Sequence, residues 1–255
     1  MQHVRKWSAI ARRHVIKALV LPVFLAGCAT SGPEGSVVDD PYENVNRKVH
    51  EFNKDFDTVL FRPFSQAYGV LPRYLRTRVN NVRANLELPG DIVNDALQAK
   101  PEDFGHNLFR FLVNTTVGVF GIFDAAGAWG MERRSTDFGE TLFVWGVEEG
   151  AYVEVPFFGP YTQRSLTGEV VDLFLNPLTF VGLTPPESYI PPTTYVLEKS
   201  DYRYEFSSTV DEVLYDSADS YLQTRQIYLD TRRFELGDTP DDGGVIDPYE
   251  ELFSE

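Results

Sequence analysis

The chain has 255 residues, 43% hydrophobic and 14% aromatic, which is enough apolar material for one ordinary folded domain and too much for wholesale disorder. It holds 38 acids and 23 bases for a formal charge of −15; five of those bases and no acid fall in residues 1–27, so the remainder sets 18 bases against 38 acids, about −20. An acid excess of this size argues against nucleic acid, whose phosphates need Lys and Arg, and against simple adhesion to anionic headgroups.

The N-terminal pattern is the first to carry meaning. Residues 12–17 (RRHVIK) are basic and residues 18–25 (ALVLPVFL) are apolar, too short a run for a bilayer span of about 20 residues. Leu25, Ala26 and Gly27 then lead into Cys28, small residues before a cysteine as in a lipoprotein signal box cut before Cys28. Cys28 is the only cysteine, which leaves no internal disulfide and no cysteine-built zinc site. Acyl chains such as palmitate on Cys28 form a tether, each buried methylene contributing roughly 0.8 kcal/mol, so that several chains hold firmly. Ala29 follows the cysteine where an Asp would resemble inner-membrane retention, so the expected location is the periplasmic face of the outer membrane, lipid-anchored. Arg12-Arg13 is also similar to a twin-arginine export motif, and both export routes stay open. The expected plan is a signal peptide over 1–27, the lipidated cysteine and a flexible spacer over 28–39, a helical domain over 40–235 and a disordered acidic tail over 236–255. Residues 235–255 hold eight acids and no base.

Within the domain, Asp40 reads as an N-cap, Pro41 as the first helical residue and Glu43 as the capping-box partner. Tyr42, Val45, Val49, Phe52, Phe56 and Val59 recur at steps of three and four, one helical face, with Asn46, Arg47, Lys48, Asn53, Lys54 and Asp55 off it. A second amphipathic helix is expected over 72–87, carrying Leu75, Val79, Val82 and Leu86. A shorter one is expected after a break at Pro89-Gly90, and a further helix from Pro101. Residues 108–123 (LFRFLVNTTVGVFGIF) carry one charge, Arg110, and two glycines. A run this apolar and this short is a core, re-entrant or interfacial element, and beside a lipid anchor partial membrane insertion is favoured. Residues 151–158 fit a short extended segment; the rest reads as mostly α.

No catalytic residue is expected, so the chain is not read as an enzyme. There is no HExxH, no Gly-x-Ser-x-Gly elbow and no phosphate loop, and Cys28 is taken by lipid. His50 and His106 read as satisfied or solvated helix residues, and neither a metal nor a cofactor is implied.

Residues 40–47 (DPYENVNR) resemble the opening motif of the MlaA family, also called VacJ lipoproteins, with Asp40, Pro41, Glu43, Asn46 and Arg47 at its positions. The likeness continues through residues 85–89 (NLELP), 110–115 (RFLVNT) with Arg110 and Asn114, and 122–127 (IFDAAG) with Asp124. It is strongest in residues 138–142 (FGETL) with Gly139, 145–147 with Gly146, and 152–160 (YVEVPFFGP) with Pro156 and Gly159. Asp219, Ser220 and Tyr221, with Arg225, Tyr228 and Arg232, look like the family's last helix, with Ser220 where proline is common. The proline-rich stretch 185–199 has no matching motif.

The resemblance implies a mostly α fold, with amphipathic helices forming a ring in the inner leaflet of the outer membrane around a polar channel. It implies phospholipid as cargo, association with a trimeric porin, and delivery to a soluble periplasmic carrier feeding an inner-membrane ABC transporter. Lipid asymmetry is maintained by removing phospholipid from the outer leaflet. The alternative is a structural lipoprotein that stabilises porins or the envelope without moving lipid. Gating is expected in the glycine-bearing stretch 118–130, with Gly118, Gly121, Gly127 and Gly130 as hinge candidates.

Overall fold

The computed structural model describes residues 40–238, in two compact units that divide between Glu205 and Phe206. The signal box with Cys28, the spacer and the end of the acidic tail lie outside the described residues.

In the first unit, α1 (Glu43–Phe56) continues through a π-helical turn, Asp57–Phe61, into α2 (Arg62–Gly69). The start differs from the expected cap. Asp40 Oδ1 accepts from the Tyr42 N–H at 3.1 Å, making an Asx-type turn ahead of the helix. Glu43 pairs instead with Arg47, one turn on, at 2.8 Å.

The next helix, α3, runs unbroken from Arg73 to Leu97 with Pro89 inside it, so the expected break is absent. Proline removes one helical hydrogen bond and crowds the preceding turn, and tertiary contacts carry the helix across. In that turn Asn176 Nδ2 donates to the Leu86 carbonyl at 2.9 Å, and Leu88 beside it is almost wholly buried. Helix α4 (Pro101–Thr116) starts on its proline as expected. It ends at Thr116, and the rest of the apolar run forms a turn in which Val119, Phe120 and Gly121 all take positive φ.

Short helices α5 (Ala125–Ala128) and α6 (Phe138–Val144) follow, each capped by an Asp side chain: Asp124 accepts from Gly127 N and Asp137 from Glu140 N. The expected extended segment is one arm of an antiparallel hairpin, β1 (Tyr152–Val155) with β2 (Gly159–Thr162), pairing Tyr152 with Thr162 and Val155 with Gly159. Helix α7 (Gln163–Leu175) opens on a Thr162–Ser165 capping box. After 3₁₀ turns at Pro177–Phe180 and Glu187–Tyr189 comes α8 (Ile190–Glu205). Helix α3 organises the unit, packing against α4, α6, α7 and α8. Gly168 meets the Gly139 backbone so closely that a Cβ would lie 2.2 Å from the Gly139 nitrogen, which sets the approach of α7 to α6.

The second unit holds α9 (Ser207–Asp211), a π-helical turn at Glu212–Asp216 and α10 (Ser220–Leu236). Asp219 caps α10, accepting from Leu222 N at 3.1 Å, which puts Ser220 at the first helical position. Proline is favoured at that position; serine takes it here. Gly237 closes the helix with left-handed backbone at φ 69°.

Candidate functional site

The first unit is built with its polarity inverted. Among its described residues, five hydrophobic side chains are buried (Tyr68, Leu88, Val113, Ala126 and Tyr152), against twenty-one polar or charged residues. Thirty-five large hydrophobic residues are exposed. A water-soluble domain buries its apolar stripes. Here α1 does the reverse: Asn46 and His50 are buried while Val45 and Phe52 face outward. In α3, Arg76, Asn85, Asp91, Asn94 and Asp95 are buried and Leu75 is exposed. The turn after α4 is the most exposed apolar part of its run, with Phe120 75% exposed.

Hydrogen bonds and ion pairs therefore do the work that apolar packing does elsewhere. The opening motif meets the hairpin motif: Asn46 Nδ2 donates to the Tyr152 carbonyl at 3.0 Å, and the Glu154 N–H donates to Asn46 Oδ1 at 3.0 Å. Asn53 repeats the arrangement two turns on, donating to the Val155 carbonyl at 3.1 Å and accepting from Phe157 N at 2.7 Å. His50 Nδ1 lies 3.2 Å from Glu154 Oε1, which also accepts from the Tyr152 hydroxyl at 2.7 Å. His106 donates to the Glu132 carbonyl at 2.7 Å, so both histidines are satisfied helix residues, as expected.

A second cluster joins Arg110, Asn114 and Asp124. Asp124 Oδ1 accepts from Arg110 at 3.0 Å, Asn114 at 2.9 Å and Gly127 N at 3.0 Å, and Asn114 accepts from Ala126 N. Despite desolvation, these donors hold the Asp124 carboxyl below its usual range. The cluster fixes the turn that presents Phe120. Across the unit, Arg203 grips Asp57 with two bonds of 2.9 Å, and Arg76 pairs with Asp201 and Glu205.

Between α3, the loop before α6, α7 and the start of α8 lies a cleft of about 370 Å³ that mixes charged and amide side chains with Leu86, Leu173, Leu178 and Pro191. From α3 it receives Arg83, Glu87 and Asp91, one per turn, with Asn94 beside them; Arg133, Thr136 and Asp137 come from the loop, and Glu169, Asp172 and Asn176 from α7 and its end. Arg133 pairs with Glu87 at 2.8 Å and Asp91 at 3.2 Å. Arg83 pairs with Glu87 and approaches Glu198 at 3.8 Å. Asp172 accepts from Asn94 and from Phe138 N, both at 2.8 Å.

Desolvation dominates the electrostatics. It pushes the Asp91 carboxyl up to about 7, with Arg133 opposing and Glu87 assisting. Asp172 rises to about 6 by burial, its two donors opposing and Asp137 and Glu169 assisting. Glu169 and Glu198 are raised for the same first reason.

Of the family-motif stretches only residues 85–89 reach this cleft, through Leu86 and Glu87. Asp40, Asn46, Pro156 and Gly159 fall at the α1–hairpin contact, Arg110, Asn114 and Asp124 at the turn, and Gly139 and Gly146 at the two ends of α6. Of the hinge candidates, three are needed for close approach: a Cβ would lie 2.2 Å from the Phe123 carbonyl at Gly118, 2.4 Å from Asn85 at Gly121 and 2.2 Å from Asp124 at Gly127. Gly130 has φ +83° and open space around it. Among the described residues no helix is long and apolar enough to cross a membrane, and no group of acids and histidines is arranged to hold a metal.

Residues 38–235 match the MlaA lipoprotein family. The chain belongs to that family. Beyond the family match, the chain is 33% identical over 241 residues to the intermembrane phospholipid transport system lipoprotein MlaA of Escherichia coli K12, covering 92% of each chain. It is 27% identical over 246 residues to the protein of the same name from Haemophilus influenzae, covering 93% of this chain and 94% of that one. A solved structure described as the structural basis for maintenance of bacterial outer membrane lipid asymmetry superposes with a TM-score of 0.68 at 28% identity, over 78% of this chain and 99% of that one. The MlaA-family fold is mostly α here, as expected.

Proposed function

We propose that the chain is an outer-membrane lipoprotein of an intermembrane phospholipid transport system, lipid-anchored at the periplasmic face, that maintains lipid asymmetry. It removes phospholipid from the outer leaflet through its polar cleft and passes it to a soluble periplasmic carrier that feeds an inner-membrane ABC transporter. The observation that carries this reading is the inverted polarity: a charged cleft in a unit that exposes thirty-five large hydrophobic residues.

A phospholipid headgroup cannot enter hydrocarbon cheaply, because an unpaired charge there costs several kcal/mol even after relaxation. The cleft offers it guanidiniums, carboxylates and amides, while the exposed Val, Leu and Phe side chains take the place of lipid tails, each contributing about 1.5–3 kcal/mol when removed from water. Helices arranged as a ring in the inner leaflet, beside a trimeric porin, would seat that surface without spanning the bilayer. Gating belongs to the stretch 118–130, with Gly130 the candidate that has left-handed backbone and open space where a side chain would stand.

The test is outer-leaflet phospholipid in the native host, in intact cells with and without the gene. Surface phospholipid that rises on deletion and falls on re-expression supports removal of misplaced lipid. An unchanged outer leaflet, with the wild-type protein present and acylated, overturns it.

A further inference from the structure

We propose that the cleft selects zwitterionic phospholipids, whose headgroup pairs a phosphate with an ammonium, over anionic ones, and that Glu169 is the carboxylate that receives the ammonium. This rests on the lipid-passage reading and adds a substrate class to it.

The cleft holds both halves of a receptor for such a headgroup. Arg83 and Arg133 are the cations. Both already hold carboxylates, yet the Nε–H of Arg133 is buried without a partner in the protein, so one donor is left over. A buried donor left unpaired costs free energy, and a phosphate oxygen would recover it once the guanidinium turns toward the cleft.

The anionic half is in excess. Five carboxylates (Glu87, Asp91, Asp137, Glu169 and Asp172) line the cleft with two guanidiniums, an acid excess of three at most, which the raised Asp91 carboxyl reduces near neutral pH without cancelling. Four of the five are occupied: Glu87 and Asp91 by arginine, Asp172 by Asn94 and Phe138 N, and Asp137 by its helix cap. Glu169 alone among these carries no hydrogen bond or ion pair. It is accessible, yet protein surrounds it closely enough for desolvation to raise its carboxyl, and Asp137 pushes the same way, with Lys199 and Arg83 offsetting part. A cation brought to Glu169 relieves both penalties. An anionic headgroup without an ammonium enters against the net field, whereas an ammonium–phosphate headgroup brings no net charge and offers its cation to the excess acid.

The experiment uses the full acylated chain, purified in detergent, delipidated and exchanged against equimolar phosphatidylethanolamine and phosphatidylglycerol, with retained lipid quantified by mass spectrometry. Wild type is expected to retain phosphatidylethanolamine in about three- to tenfold excess, the scale of one charge contact of about a kcal/mol. Glu169→Gln is expected to bring the ratio close to one, and Glu169→Lys to invert it. Because Glu169 holds no other residue and stands among like charges, both variants should melt no lower than wild type, which a thermal scan verifies. Lipid adhering to the apolar exterior is indifferent to residue 169, so a wild-type excess that survives both substitutions overturns the proposal. Equal retention by wild type also overturns it and leaves lipid passage standing; retention of neither lipid overturns both.

Discussion

Asp91 and Asp172 show what a buried carboxylate does to a polar cleft. Their carboxyls titrate at about 7 and about 6 against an ordinary 3.8, so the folded chain binds more protons than the unfolded one between those limits. Stability from these two groups is complete below the unfolded value and is lost as pH rises through about 6 for Asp172 and about 7 for Asp91. Thermal melts of the detergent-solubilised protein should therefore show a melting temperature that falls between pH 5 and 8, and Asp91→Asn should flatten the upper part of that fall. An unchanged slope in the variant would assign the dependence to other groups. Asn46 is the second residue whose role is specific. Asn46→Ala leaves the Glu154 N–H and the Tyr152 carbonyl without their side-chain partner in a buried place, and should cost about 3 kcal/mol by the penalties for such orphaned groups. A lowered urea midpoint with unchanged m-value checks it.

At the scale of elements, the turn after α4 holds the clearest strain. Val119 and Phe120 take φ of 53° and 56°, a region that β-branched and aromatic side chains enter at a cost of about 1–2 kcal/mol. The Arg110–Asn114–Asp124 cluster holds the turn in that shape. Val119 is half exposed and loses little packing on truncation, so Val119→Gly should stabilise by about 0.5–1 kcal/mol after the added freedom of the unfolded glycine is subtracted. Gly118→Ala should destabilise, its Cβ overlapping two carbonyl oxygens. Paired melting curves decide both: equal midpoints for Val119→Gly and wild type would mean that the turn is not strained. Helix α3 teaches a related lesson. Pro89 argues for a break by local rules, and a helix cut there separates Arg83 and Glu87 from Asp91. The spacing of those three residues, one per turn across the proline, was the signal in the sequence for the cleft.

For the molecule as a whole, the exposed apolar residues set the environment it needs. Trp129 and Trp145 are both more than half exposed, and the third tryptophan, Trp7, falls within the signal peptide expected to be removed. Transfer of the mature protein from a mild detergent into phospholipid vesicles containing brominated acyl chains should therefore quench its tryptophan fluorescence. If the apolar exterior stays in water, neither quenching nor a blue shift will be seen. Lipid that enters the cleft should also raise the melting temperature with its concentration, since a ligand held only by the folded state stabilises it by mass action.

Helical periodicity and the proline at the start of α4 are local signals, set by residues a few positions apart. From these the mostly α class and the helix faces could be read in the sequence alone, and the family motifs could be recognised as strings. Which face turns inward is different. The 3.6-residue period marks an apolar stripe on α1 without saying whether it meets protein or lipid, and tertiary structure decides that Asn46 and His50 go in while Val45 and Phe52 go out. The cleft is likewise a tertiary product, since its charges come from α3, the loop before α6 and α7, as far apart in the chain as Arg83 and Asp172. Their proximity comes from helix packing, through the Gly139–Gly168 contact and the bonds that carry α3 past Pro89. A chain position records a residue's neighbours along the helix; the burial that raises Asp91 and Glu169 exists only once those helices have met.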